Sequence, residues 1–344
     1  MGLCFHTRQS LIRNGRYAMK CLVTGATGFL GANMVHELVR LKWKVRAFGL
    51  PGSNAKYIAS LPVEIAYGDV TDPADVGRAV KGVDAVFHIA GDTSWWRNHF
   101  DRQRRINTEG PVNVAEACLK HGVKTLVHTS TVDALGYFPG GIADESWPDY
   151  NYGGTGYNYA DTKREGERRV KAFNGKKLKV VVIYPGSMMG PFDFTLQYGR
   201  LFFDLRDGKV PACPPGGASF AHVRDVAGAH IAAVKKGRGG EGYICAGENI
   251  TYRDLFEKIA QKFGKHAPGV TMPPAVFTAY GHICEAVSRV TRKPPEVDPG
   301  MARYMSVCAF YDSAKAAREL GYCVTPVQAM IDDAFAWYRE NGFL

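Results

Sequence analysis

The chain predicts an α/β fold: a doubly wound parallel sheet with a smaller, partly helical C-terminal substrate region over the sheet's carboxyl edge. Three observations carry this. Short apolar runs alternate with helix-period stretches from Lys20 to Tyr184, as a parallel sheet covered on both faces requires. The first run opens into Val23-Thr-Gly-Ala-Thr-Gly-Phe-Leu-Gly31, a glycine-rich turn leading into an amphipathic stretch. After Pro185 the alternation weakens, and glycine and proline crowd residues 186–191 and 211–217.

In order, Lys20–Thr24 reads as the first strand. Phe29–Leu41 is the first helix, with Leu30, Met34, Leu38 and Leu41 at helical spacing. Trp43–Phe48 and Val63–Tyr67 are the second and third strands. Asp72 and Pro73 suit the N-cap and first position of a helix to Lys81. Ala85–Ala90 is a fourth strand, apolar but for His88. Helix over Arg105–His121, strand over Lys124–Thr129, helix over Tyr157–Phe173 and strand over Leu178–Tyr184 follow. Beyond Pro185, Arg224–Lys235 reads as helix, Gly242–Cys245 as a short strand, and Thr251 as the N-cap of a helix to Phe263. The last seventy residues read as helices with loops between them. The expected organisation is an unstructured extension over residues 1–18, a dinucleotide-binding domain over 19–185, and a mainly substrate-binding region over 186–344 with some segments returning to the first domain.

The glycine turn has a physical reading. Gly25 lets the backbone turn where a Cβ would clash, Gly28 permits close approach of a pyrophosphate, and Gly31 lets the helix pack near the strand. The free N–H groups and positive end of that helix then face an anion.

Composition narrows the class. With 46% hydrophobic residues the chain suits a globular protein, and no apolar run approaches the roughly 18 residues of a membrane span. The net charge of +10 is not gathered into a basic cluster interleaved with aromatics, so nucleic acid is not an expected partner. Part of the excess lies at Arg8, Arg13, Arg16 and Lys20. The eight cysteines include no Cys-x-x-Cys pair, which fits reduced thiols in a cytoplasmic protein and no metal site. A small-molecule substrate is the expected partner, and the sequence leaves a homodimer open.

Tyr159 and Lys163 stand at i, i+4 and share one helix face. A tyrosine near an ammonium and a nicotinamide cation ionises more easily and can pass a proton to or from a substrate oxygen. Tyr311 and Lys315 match the same spacing. Position separates the two pairs: Tyr159 lies between the fifth and sixth strands, whereas Tyr311 reads as one half of a surface pair in the C-terminal helical region. Ser130 and Thr131 follow the fifth strand, where a hydroxyl can meet a substrate oxygen.

Together these motifs resemble the extended short-chain dehydrogenase/reductases of the NAD-dependent epimerase/dehydratase family. The resemblance runs from Lys20 to Leu344. It rests on the Thr-Gly-x-x-Gly-x-x-Gly turn, Gly68-Asp69, His88-Ile-Ala-Gly91, Asn107-Thr-Glu-Gly110, Tyr159/Lys163, Pro185-Gly186 with Gly190-Pro191, and Phe220-Ala-His-Val-Arg-Asp225. Within the family the likeness is to dihydroflavonol-reductase-like proteins and hopanoid-associated sugar epimerases, through Phe48-Gly-Leu-Pro-Gly-Ser-Asn54, Trp95-Trp96 and Glu241 to Thr251.

The resemblance implies roles by position. Thr131 would orient the substrate oxygen, favoured over Ser130 because it precedes Gly136 by five residues. Tyr159 would be the acid/base, and Lys163 would lower its pKa and hold the nicotinamide ribose. Gly25, Thr27, Gly28, Phe29, Leu30, Gly31 and Ala90 would line the dinucleotide, Asp69 and Val70 would contact adenine, and Pro185 to Ser187 would face the carboxamide. Trp95, Trp96, Asp133 and Met188 are candidate substrate contacts, with Tyr137 and Phe138 beside them. For Asp133 an ordinary loop carboxylate is the competing reading, and for the tryptophans core packing.

Two departures bear on specificity. Ala47-Phe48-Gly49-Leu50 offers neither the acid that binds a ribose 2′-hydroxyl nor the arginine that binds a 2′-phosphate. The missing acid tilts the reading to NADP over NAD, with Ser53, Asn54 and Lys56 as phosphate contacts. Tyr184 stands where many sugar-nucleotide enzymes have arginine, which points to a less polar substrate. The expected function is hydride transfer between the nicotinamide and a carbinol or ketone carbon. The alternatives are nucleotide-sugar epimerisation or dehydration through a transient keto intermediate, and a non-catalytic cofactor-binding regulator. The intact Thr131, Tyr159 and Lys163 set speaks against the last.

Overall fold

The computed structural model describes residues 19–344; the extension expected over residues 1–18 lies outside the described residues. The strands are β1 (Lys20–Thr24), β2 (Lys44–Gly49), β3 (Glu64–Tyr67), β4 (Ala85–His88), β5 (Thr125–Thr129), β6 (Ile142–Ala143), β7 (Lys179–Pro185), β8 (Ser187–Met189), β9 (Gly217–His222), β10 (Gly242–Cys245), β11 (Glu248–Thr251) and β12 (Cys308–Tyr311). The helices are α1 (Phe29–Arg40), α2 (Pro73–Val80), α3 (Phe100–Gln103), α4 (Gly110–His121), α5 (Asn158–Lys171), α6 (Gly199–Arg206), α7 (Val223–Lys236), α8 (Tyr252–Gln261), α9 (Pro274–Thr291), α10 (Pro299–Tyr304), α11 (Ala314–Leu320) and α12 (Val327–Glu340).

Seven strands form one parallel sheet in the order β3-β2-β1-β4-β5-β7-β10. Successive residues alternate between its faces, as strand geometry demands. Cys21, Val23, Phe87, Val127 and Val181 meet Met34 and Leu38 of α1 and Val226 and Ile231 of α7. Leu22, Val86, Leu126 and Val180 meet Val76 of α2, Val114 and Cys118 of α4 and Val170 of α5. Side-chain caps start the helices where expected. Asp72 accepts from the N–H groups of Ala74 and Asp75, and Thr251 from that of Asp254. The helix expected from Arg105 departs from regularity: Arg104–Glu109 is a π-helical stretch that runs into α4.

A second, smaller sheet runs β11-β9-β12-β6, with β8 beside β9. It lies among Phe202, Leu255, Ile259, Met330 and Tyr338 of the C-terminal helices. One expectation is corrected here. Tyr311 is not half of a surface helix pair. It ends β12, is buried, and donates its hydroxyl to the Gly136 carbonyl at 2.8 Å. Lys315 lies on α11 and pairs with Glu241. The aromatic pair Phe310-Tyr311 has strand propensity and pairs in parallel with Ile142 and Ala143 of β6, while Cys308 and Ala309 pair with β9.

Candidate active site

The site lies at the carboxyl ends of β1, β4, β5 and β7. Gly25 has φ +66°, and a Cβ there would lie 2.8 Å from the Ala90 nitrogen. A Cβ at Gly31 would run into the Gly25 carbonyl, so α1 packs directly on the turn. Gly28 is the N-cap of α1 and supplies no side-chain cap, leaving the first-turn N–H groups open to an anion. Thr24 Oγ1 accepts from the N–H groups of Ile89 and Ala90 at 3.1 and 3.2 Å and so pins the neighbouring loop. This cradle fits a dinucleotide pyrophosphate.

A cavity of about 360 Å³ opens over the cradle. Of the residues expected from the sequence, it brings together Gly25, Thr27, Gly28, Phe29, Leu30, Gly31, Asp69, Val70, Ala90, Thr131, Tyr159, Lys163, Pro185 and Met188. It also includes Thr93, Ile106 and Gln197, for which the sequence holds no recognisable signal. Trp95, Trp96, Asp133 and Ser187 are not among its walls; the Ser187 hydroxyl accepts from Tyr198 instead, at 2.8 Å.

At the end toward β2 the walls are Phe48, Gly49, Leu50 and Ser53, and the Ser53 hydroxyl accepts from Thr27 at 3.1 Å. Asn54 and Lys56 do not join them. Asn54 Oδ1 accepts from the Lys56 N–H, and the Lys56 ammonium sits 5.5 Å from the Tyr57 ring centre. Among the described residues, Lys163 is the cavity's one basic side chain and Asp69 its one acid.

Tyr159 and Lys163 emerge from the first two turns of α5. Lys163 Nζ donates to the Thr129 carbonyl at 2.5 Å. The Tyr159 hydroxyl is hydrogen-bonded to Thr131, whereas the Ser130 hydroxyl is taken by Glu167 at 2.9 Å. Burial holds the Tyr159 phenol well above its usual range, the Asp133 charge adds to this, and the Thr131 hydrogen bond opposes it. Burial also lowers Lys163 to about 8, with Glu167 pulling the other way. The expectation of an easily ionised tyrosine therefore does not hold for the protein groups alone. The positive nicotinamide ring of an oxidised cofactor, bound beside Tyr159, would lower it.

Asn107, in the π-helical stretch, fastens the β4 loop to α5. Its Oδ1 accepts from the Asp92 N–H at 2.8 Å, and its Nδ2 donates to the Asp92 carbonyl at 2.9 Å and to Thr162 Oγ1 at 3.2 Å. On the other side of α5, Glu167 accepts from Ser130, from Tyr184 at 2.6 Å and from Lys171 at 2.9 Å. Tyr184 thus turns toward α5 and away from the cavity, so its identity says nothing about substrate polarity.

Asp133 is neither a substrate-facing group nor an ordinary loop carboxylate. It is 6% exposed; its Oδ2 accepts from Tyr157 at 2.7 Å and from Thr131 at 3.2 Å, and its Oδ1 has no partner. Burial raises its carboxyl to about 6 despite both hydrogen bonds. A carboxyl that binds its proton more tightly when folded contributes stability that is full below about pH 4 and lost as pH rises through about 6. Wild type is expected to lose about 3 kcal/mol relative to Asp133→Asn between those limits. Urea denaturation of both proteins from pH 4 to 8 measures the difference, and parallel curves would sink the assignment.

Beside Tyr159 stands an aromatic wall. Trp95 stacks on Tyr157 with centroids 4.5 Å apart and planes at 3°, and Tyr304 lies 5.5 Å from Trp95 and 5.4 Å from Tyr157. Tyr157 is in turn 6.0 Å from Tyr159. Trp96 contacts His99 edge-on, and Phe138 stacks on Trp147.

A glycine cradle at the carboxyl edge of a parallel sheet, beside a buried Tyr–Lys pair and a threonine hydroxyl, defines a dinucleotide-dependent oxidoreductase site. Comparison with known proteins agrees. A model of the NAD dependent epimerase/dehydratase family matches residues 21–246. Sterol demethylase protein B of Methylococcus capsulatus is 32% identical over 331 residues, covering 95% of this chain and 100% of that protein. A putative dihydroflavonol 4-reductase of Synechocystis sp. is 28% identical over 330 residues, covering 94% and 95%. The crystal structure of gox2253 superposes with a TM-score of 0.82 at 33% identity, covering 94% of this chain and 98% of its own. The chain belongs to the NAD dependent epimerase/dehydratase family, and it is an NAD(P)-dependent enzyme of the extended short-chain dehydrogenase type.

Proposed function

We propose that the enzyme moves a hydride between NADP(H) and a carbinol or ketone carbon of a largely apolar substrate. The observation that carries this is the apolar lining of the cavity, with Leu30, Phe48, Ile106 and Met188 among its walls. Among the described residues no arginine faces the cavity to hold a nucleotide diphosphate. The relative named for sterol chemistry supports an apolar substrate.

The cofactor supplies or accepts the hydride, and the chain's own residues handle the proton. In oxidation the Tyr159 phenolate takes the carbinol proton while the carbon gives up its hydride; in reduction the phenol returns a proton to the carbonyl oxygen. Thr131 orients that oxygen, and Lys163 holds the nicotinamide ribose beside Tyr159. Gly25 to Gly31 hold the pyrophosphate, Asp69 and Val70 the adenine, and Pro185 and the adjoining backbone the carboxamide.

NADP is favoured because no carboxylate ends β2 to bind a 2′-hydroxyl or repel a 2′-phosphate. No cation stands there either, so the preference is expected to be below about tenfold. The test pairs two measurements on the purified enzyme. Tryptophan fluorescence titration with each cofactor reads the preference, and a marked one for NAD would reverse the choice. Nicotinamide absorbance with a series of increasingly apolar ketones and carbinols reads net hydride transfer. Interconversion of a UDP-hexose with no net change in nicotinamide, and none with the apolar series, would establish the epimerase reading instead.

A further inference from the structure

The long helix α9 buries one narrow face. Phe277, Gly281, Glu285 and Ser288 point inward, and a Cβ at Gly281 would come within 2.9 Å of that of Ala302 on α10. The opposite face is apolar and open. Val276, Ile283, Val287 and Val290 are 54%, 61%, 55% and 85% exposed, at the i, i+7, i+11, i+14 spacing of a single stripe. Ala279 and Ala286 fill the gaps between them, and Val270 on the preceding loop is 62% exposed. Five of the twelve large exposed apolar side chains among the described residues thus fall within twenty-one positions. Scattered singly such residues need no explanation, but gathered on one face they mark an interaction surface.

The charges around the stripe indicate what covers it. Glu285 is the helix's one acid; it is 9% exposed and accepts from Arg289 at 3.1 Å. The Arg289 side chain remains 71% exposed. Arg292, in the left-handed conformation at φ +56°, ends the helix, and Lys293 follows, both exposed. The exposed acid nearby is Glu296, which accepts from Tyr280 at 3.2 Å. The rim is therefore cationic on balance, in a chain of net charge +10. No helix of the described residues is long and apolar enough to cross a membrane. An apolar stripe bordered by Lys and Arg on such a helix fits the plane of a lipid headgroup layer.

We propose that the outward face of α9 docks on an anionic bilayer surface, with Val276, Ile283, Val287 and Val290 in the headgroup–acyl boundary and Arg289, Arg292 and Lys293 among anionic headgroups. The placement has a second consequence. α9 packs on α10, and Tyr304 of α10 is part of the aromatic wall beside Tyr159. The aromatic cluster that packs against Tyr159 is one helix away from the lipid.

The test uses the full chain, with residues 1–18 left in place, and vesicles of phosphatidylcholine with or without phosphatidylglycerol. Co-sedimentation is expected with the anionic vesicles and is expected to weaken as salt rises. Ile283→Asp with Val287→Asp is expected to lower vesicle affinity by about tenfold or more. Arg292→Glu with Lys293→Glu should remove the preference for phosphatidylglycerol. All four positions are exposed and none lines the cofactor cavity, so cofactor affinity and the circular dichroism spectrum should stay at wild-type values. Absence of sedimentation at low salt overturns the proposal. So does vesicle binding that survives Ile283→Asp/Val287→Asp. A wild-type dimer that this double variant separates, with no vesicle binding, would assign the face to a second copy of the chain.

Discussion

Tyr159→Phe is expected to lower turnover by about 10²–10⁴-fold while cofactor affinity stays within about twofold of wild type. The substitution removes one hydroxyl and keeps the ring, so the packing against Tyr157 survives. What disappears is the group that exchanges a proton with the substrate oxygen. The Thr131 hydroxyl stands beside it but is already committed to Asp133, and at the pH of an assay a neutral alcohol is a far weaker base than a phenolate. Steady-state kinetics, with fluorescence titration of the cofactor, separates the chemical step from binding. Near-full turnover by the variant would show that another group moves the proton.

The second large effect concerns the fold of the cradle. Gly31→Ala is expected to destabilise the protein by at least about 3 kcal/mol and to abolish cofactor binding. Its new methyl would enter the Gly25 carbonyl and crowd Ala26 Cα, and backbone on both sides leaves neither free to move. Gly28→Ala makes the contrast. Its φ of −91° suits any residue, and its Cβ would lie 3.2 Å from the Gly25 oxygen. That variant should keep its stability within about 1 kcal/mol while losing cofactor affinity, because its methyl occupies the place of close approach to the pyrophosphate. Urea denaturation and cofactor titration of the two variants test the distinction. A Gly31→Ala protein of normal stability would mean that α1 does not pack on the turn as described.

Local pattern decided what could be read from the chain. The run Lys20–Thr24, the turn glycines and the helix that begins at Phe29 are contiguous, and the structure bounds them to within a residue. Tyr159 and Lys163 sit one helical turn apart, which a single segment displays. Tyr311 and Lys315 display the same spacing, and only the pairing of β12 with a strand more than eighty residues earlier separates the two. The groups that support the site could not be seen this way. Glu167 gathers Ser130, Tyr184 and Lys171 from three elements, and Asn107 reaches Thr162 across 55 positions. Asp133 looked like a loop carboxylate because its buried partner, Tyr157, is 24 residues away. Tyr184 misled because its identity was weighed without its face: it is in step with Val180 and Val182 on β7, on the side that α5 covers, where Glu167 accepts its hydroxyl.

The order of strands in the main sheet bears on how the chain acquires its fold during synthesis. β10 pairs with β7, yet it leaves the ribosome about 60 residues later. At roughly 5–20 residues per second that is a delay of about 3–12 s. Throughout it β7 is an open edge, its Val182-Ile183-Tyr184 backbone donors and acceptors available to any passing strand. The polypeptide that ends at Pro185 holds the glycine cradle, Thr131, Tyr159 and Lys163, but it lacks both the closing strand and α7, which covers one sheet face. A nascent chain of that length carries the chemistry before it can shield it, and this is the interval in which chaperone capture or aberrant edge pairing would compete with folding.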